Sequence, residues 1–100
     1  MVIRALDHVA QCYTAKDGMV INRVLRKQLA RESQVKLSFD GVTDVPSSFV
    51  NTSIVALLDT YSGDYIKQHL TISDATRQIG EMVRRCLANG LNRQQEVVPR

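Results

Sequence analysis

The order of strand-like and helix-like segments predicts an α/β fold: a single small domain with a mostly parallel or mixed sheet of four strands and three helices packed mainly on one face. Alternating apolar and polar residues mark short strands, since successive strand side chains point to opposite faces. Between those strands, apolar residues recur at helical spacing, and helices that separate strands imply crossovers within a parallel sheet. A chain of 100 residues holds one core and buries about two-thirds of its unfolded surface.

Val2–Leu6 and Val9–Tyr13 flank Asp7-His8 and read as two short strands with a tight connection. Thr14 to Gly18 breaks that pattern. Ile21, Val24, Leu25 and Leu29 then recur at helical spacing with Arg23, Lys27 and Arg31 opposite, and Asp17 is suited to the cap or first turn. Gln34 to Phe39 is the next strand. It sets Val35, Leu37 and Phe39 on one side and Lys36, Ser38 and Asp40 on the other. Val50, Ile54, Leu57, Leu58 and Tyr61 form the stripe of a second helix that ends near Ser62-Gly63. Tyr65 to Ile72 reads as a further strand, with Ile66, Leu70 and Ile72 opposing Lys67, His69 and Thr71, although Gln68 falls on the apolar side. Ser73 or Asp74 caps a last helix striped by Ile79, Met82, Val83, Cys86 and Leu87, and Gly90 ends it. Residues 1–91 thus make the domain and 92–100 a C-terminal tail. Strands this polar on every second residue leave one sheet face to solvent or to a second subunit, which keeps a homodimer among the expected assemblies.

Hydrophobic residues at 44% and charged residues at 23% are ordinary for a globular domain and exclude disordered and fibrous classes. With no apolar run near the ~20 residues that cross a bilayer and no signal segment, the expected location is cytoplasmic, without membrane contact. Cys12 and Cys86 both fall on apolar-patterned segments and read as buried, reduced thiols. The net charge of +3 is a mild excess. Arg23, Arg26, Lys27 and Arg31 share the first helix, and Arg77, Arg84 and Arg85 the last. These are either solvated faces or, in a second reading, a nucleic-acid surface built on Arg23, Lys27, Arg84 and Arg85. No aromatic residue is interleaved with them to stack bases.

Catalysis finds little support. His8, His69 and the cysteines lack metal-ligand spacing, so no metal or cofactor is expected. Ser48 with His69 is the one nucleophile and base pairing to consider, and no Gly-x-Ser-x-Gly elbow accompanies it. Asp40 and Asp44 lie in a turn beside Gly41, where acids commonly make local hydrogen bonds. No glycine-rich phosphate loop is present in the sequence.

The junction from Gln34 to Tyr61 carries the remaining chemistry. A strand runs through Asp40-Gly41-Val42 and Asp44-Val45-Pro46 into Ser47-Ser48-Phe49, at the start of an apolar helix. Ser47 reads as an N-cap, with Pro46 holding the entering chain extended. The same position suits a switch or docking point, and Asp44, Ser47, Ser48 and Phe49 are its candidate contact residues. The strand, the turn, the serine pair and the helix after them resemble STAS domains, the bacterial anti-sigma factor antagonists. In those a strand ends in an Asp-Ser-Ser-Gly turn whose second serine is phosphorylated. Ser48 matches that serine, while Pro46 stands for the aspartate and Phe49 for the glycine. The serine-phenylalanine junction, Gly18 before the first helix and Phe39-Asp40-Gly41-Val42 look more like a bacterial subgroup, the STAS-like domains of unknown function. The resemblance covers roughly residues 9 to 90. It implies a non-enzymatic regulatory protein-interaction module, switched at Ser48, whose partner is an anti-sigma-type ATP-binding kinase or a similar protein.

Overall fold

The computed structural model describes residues 2–31 and 34–97, with side chains through Asn92. Strand β1, Val2–Arg4, leads through a 3-10 turn at Ala5–Asp7 and a loop into helix α1, Ala15–Leu29. Strand β2, Val35–Ser38, is followed by helix α2, Ser47–Ser53, and a second 3-10 turn, Val55–Asp59. Helix α3, Gly63–His69, runs directly into strand β3, Leu70–Ser73, and helix α4, Arg77–Val97, completes the described chain. The strands pair in the order β1-β2-β3, all parallel. Among the described residues the sheet therefore has three strands where four were expected, and there are four α-helices rather than three.

Each difference has a local cause. Residues 9–13 form a loop and not a second strand, because the chain after β1 curls on itself: the N–H groups of His8 and Val9 both return to the Ala5 carbonyl, at 3.0 and 3.2 Å. Such a turn releases β1 from hairpin pairing and leaves it to pair in parallel with β2 across α1. The expected strand from Tyr65 is a helix as far as His69. Ser62 caps it, its Oγ accepting from the Tyr65 N–H at 3.1 Å, and Tyr61, Tyr65 and His69 stack at spacings of four, with centroids 4.9 and 4.0 Å apart. Gln68, out of place in a strand, simply lies on the exposed side of α3. Gly63 opens this helix and does not cap the one before it. Similarly, Gly90 does not end α4, which continues to Val97. A Cβ there would stand 2.7 Å from Val55 Cγ1, so the glycine lets α4 approach the second 3-10 turn. The expected tail is thus helical through residue 97, and residues 98–100 lie outside the described residues.

Helix α1 begins with a capping box. Thr14 Oγ1 accepts from the Asp17 N–H at 3.1 Å while Asp17 accepts from the Thr14 N–H at 3.2 Å. Gly18, Ile21, Leu25 and Leu29 make its buried stripe, so Gly18 belongs to the first helix and does not precede it. The stripe from Val50 to Tyr61 is interrupted. Thr52 and Ser53 turn their hydroxyls back onto the carbonyls of Ser48 and Phe49, at 2.9 and 2.8 Å, a local competition that weakens helix propagation. The chain then tightens into a 3-10 turn at Val55.

In the sheet, Ile3, Leu37 and Ile72 lie in register toward the core, whereas Val2, Lys36 and Thr71 form an exposed row. Val2 is 65% exposed. The core itself gathers Val35, Leu37, Phe39, Phe49, Leu57 and Ile79 between sheet and helices.

Helices α1 and α2 make the closest approach in the fold. A Cβ on Gly18 would run into Thr52 Oγ1 and come within 2.6 Å of the Phe49 carbonyl oxygen. Replacing glycine by alanine inside a helix ordinarily gains about 1 kcal/mol, but a backbone oxygen at the contact cannot step aside. The usual overpacking cost of about 1–3 kcal/mol outweighs that gain, so Gly18→Ala is expected to lose about 1–2 kcal/mol net. Urea unfolding measures this, and a variant as stable as the parent would show that the helices have room to separate.

Candidate functional site

The segment from Phe39 to Pro46 carries the serine pair, and its shape is set at both ends. At the start, the Val42 N–H returns to the Phe39 carbonyl at 2.9 Å, closing a turn whose third residue, Gly41, has φ +88. That conformation suits glycine because no Cβ is present to clash. At the end, Phe39 and Phe49 are both fully buried and meet edge to face with centroids 6.3 Å apart, pinning the beginning of α2 to the end of β2.

Between those anchors the segment leans on the junction from β3 to α4. The Phe39 N–H donates to the Ser73 carbonyl at 3.0 Å. Ser38, buried, donates its hydroxyl to Asp74 Oδ2 at 2.7 Å and accepts from the Asp40 N–H at 3.2 Å. Asp74 sits in the left-handed region, φ 53, which a short polar side chain tolerates better than most. Further along, Thr76 Oγ1 donates to the Thr43 carbonyl at 2.7 Å. Gln78 holds both backbone groups of Val45, accepting from its N–H at 3.0 Å and donating to its carbonyl at 3.1 Å. Thr76, and not Ser73 or Asp74, also starts α4, since its hydroxyl accepts from the Ile79 N–H at 3.3 Å.

Asp44, Ser47 and Ser48 are exposed within this short stretch, whereas Phe49 is in the core. Phe49 is thus the anchor of the junction and not a contact residue. Ser47 is the first helical residue, and the N-cap is Pro46, which supplies no side-chain hydrogen bond. Neither serine hydroxyl has a hydrogen-bond partner among the described residues. The expectation that Ser47 caps α2 is therefore corrected: Pro46, extended at φ −84 and ψ 165, already occupies that position. Thr76 and Gln78 were not legible in the sequence, because side chains 33 residues away that bond to loop backbone leave no periodic signal, and Asp74, expected as a cap, instead accepts from the Ser38 hydroxyl.

His69 does not serve Ser48. Its Nδ1 lies 2.9 Å from the Tyr65 carbonyl and its ring stacks on Tyr65, whose hydroxyl donates to the Leu29 carbonyl at 2.7 Å. Among the described residues no three His, Cys, Asp or Glu side chains group closely enough to hold a metal ion, and no helix is long and apolar enough to cross a membrane. Three of the four residues proposed for a nucleic-acid surface line two separate grooves. Arg23 and Lys27 share one with His8; Arg84 shares another with Lys67, Leu87 and Leu91. Arg85 is exposed on α4.

Cys12 and Cys86 are both buried, and neither is in a disulfide. Burial first, and the Asp17 carboxylate second, push the Cys12 thiol up from 9.0 to about 11. In the unfolded chain the thiol loses its proton earlier, so the stability linked to Cys12 is present below pH 9.0 and is lost as pH rises toward about 11. Alkylation of Cys12 in the folded protein at about pH 8, read by peptide mass spectrometry, is expected to be slow and to accelerate on unfolding. Fast labelling would contradict its burial. For Ser47, the missing cap bond means that Ser47→Ala should shift stability by less than about 0.5 kcal/mol in denaturant melts. A loss of about 1 kcal/mol, the usual cost of deleting a cap, would restore it to that role.

A family model described as a STAS-like domain of unknown function matches residues 20–79. The matched span runs from α1 through the serine junction to the first turns of α4. Comparison with curated proteins and with solved structures returned no significant match.

Proposed function

We propose that this chain, which belongs to the family of STAS-like domains of unknown function, is a regulatory protein-interaction module that docks its partner at Asp44, Ser47 and Ser48. Ser48 is the switch. One observation carries this reading: Ser48 is exposed and its hydroxyl has no hydrogen-bond partner among the described residues, yet the next residue, Phe49, is locked in the core. A modifying enzyme can reach such a hydroxyl without unfolding the domain, and a partner meets it in a fixed place. A phosphate there brings about −1.5 to −2 charge to a surface that already holds Asp44, which opposes an acidic or apolar partner. The partner proposed from the STAS resemblance is an anti-sigma-type ATP-binding kinase or a similar protein, with this chain the bound regulator and not a catalyst.

Ser48→Asp tests the switch. Its melting temperature should stay within about 3 °C of the parent, as expected when stability changes by no more than about 0.5 kcal/mol in a domain of this size. Capture of an ATP-binding protein from the native host, identified by mass spectrometry, should be strong with the parent and with Ser48→Ala and weak with Ser48→Asp. Equal capture by all three, or unfolding of Ser48→Asp, would remove Ser48 from the interface.

A further inference from the structure

Pairing between β2 and β3 ends at Ser38 and Ser73 as regular strand, but hydrogen bonds between the two segments continue beyond it in a shifted register. Residue 38 meets 74, 39 meets 73, 43 meets 76 and 45 meets 78, each through a hydrogen bond of 2.7 to 3.1 Å. After Phe39 the partner groups change. Side chains of Thr76 and Gln78 take over the role that backbone amides play within a sheet. Thr43 and Val45 lie in the loop before α2, and Thr76 and Gln78 reach them from the start of α4. Gln78 completes the imitation, since one primary amide offers a carbonyl and an N–H side by side and so satisfies the N–H and the carbonyl of a single residue. Two residues further on stands Ser47.

We infer that Gln78 is the positioning residue of the serine junction: its side-chain amide acts as a surrogate strand that clasps Val45 and fixes where Ser47 and Ser48 leave the sheet. This rests on the reading of those serines as the docking surface and names the device that regulates their presentation. The clasp is suited to regulation because Gln78 is exposed. Both of its bonds to Val45 are only part-buried, so opening them is a local event. Val45 itself is 2% exposed and its side chain stays anchored while the backbone is released. Because Gln78 lies in the first turn of α4, displacement at that end of the helix changes the serine junction directly.

Amide hydrogen exchange in the full chain, resolved by residue, tests the clasp without any partner. In Gln78→Ala, protection of the Val45 amide should fall about tenfold or more while Leu37 and Ile72, inside the parallel ladder, keep theirs. Gln78→Glu supplies a chemical rescue. Its carboxylate places a second oxygen against the Val45 carbonyl at neutral pH, whereas the protonated acid, below about pH 4, again donates to it. Val45 protection relative to the parent at the same pH should therefore be reduced near pH 7 and recovered below about pH 4. Unchanged Val45 protection in Gln78→Ala would overturn the inference. So would a loss shared equally by Leu37 and Ile72, or a Gln78→Glu variant that behaves alike at both pH values. Since exchange reads the clasp alone, its failure leaves the Ser48 substitutions as an independent test of the docking role.

Discussion

Gly18 brings α1 onto α2 closely enough for two α1 side chains, Asn22 and Arg26, to hydrogen-bond the backbone where the second helix changes to a 3-10 turn. The chain changes from α-helix to 3-10 turn after Ser53, and α1 side chains add donors to carbonyls at this change. Asn22 Nδ2 donates to the Ser53 carbonyl at 2.9 Å, and Arg26 donates through Nη2 to the Ala56 carbonyl at 2.8 Å. Arg26 also donates to Asn22 Oδ1 and to Thr60 Oγ1, so a single guanidinium ties α1 to both ends of the second 3-10 turn. Both bonds to these carbonyls are part-buried, and a hydrogen bond from a charged group such as Arg26 contributes about 1.5–3 kcal/mol, so the close approach stabilises the fold. A bulkier residue at Gly18 would push α1 away from those donors' targets.

The same approach seats the functional junction. The side of α2 that receives Gly18 belongs to Phe49 and Thr52, and Phe49 is the residue that anchors the serine pair from below. Support from the other side comes from β3 and the start of α4, through Ser73, Asp74, Thr76 and Gln78. The ion pairs nearby add little. Arg4 lies 3.3 Å from Asp7 and 3.4 Å from Asp40, but these side chains are 45–65% exposed, and pairs in that setting contribute about 0–1 kcal/mol. The turn at Gly41 is held by backbone geometry and neutral hydrogen bonds instead, and therefore stays insensitive to salt.

Folding redistributes charges that the sequence groups by helix. Arg26 is consumed as a structural donor to Ala56 and Thr60. Arg77 pairs loosely with Glu81 at 3.6 Å. Arg23 and Lys27 share a groove with His8, and Arg84 shares another with Lys67. The exposed row of Val2, Lys36 and Thr71 belongs to neither groove.

Much of the fold was legible in the sequence because short-range periodicity reports burial directly. The alternation at Val35–Phe39, the stripe of Ile21, Leu25 and Leu29 and the stripe of Ile79, Val83 and Cys86 each identify a face that must be covered. The serine pair was legible as an exposed break between two apolar segments. What misled was ambiguity of period over short windows. Ile66, Leu70 and Ile72 fit a strand by alternation, yet Tyr61, Tyr65 and His69 fit a helix by fours, and the cap at Ser62 together with ring stacking decides for the helix. Gly63 and Gly90 look like helix stops locally but mark close approaches to Leu91 and to Val55. Sequence by itself therefore determined which faces are apolar and where the chain must turn, because those depend on neighbours within a few residues. Only the tertiary structure decided that Phe49 is an anchor, that Pro46 takes the cap from Ser47 and that Gln78 clasps Val45, because each depends on groups that folding alone brings within hydrogen-bonding or van der Waals reach.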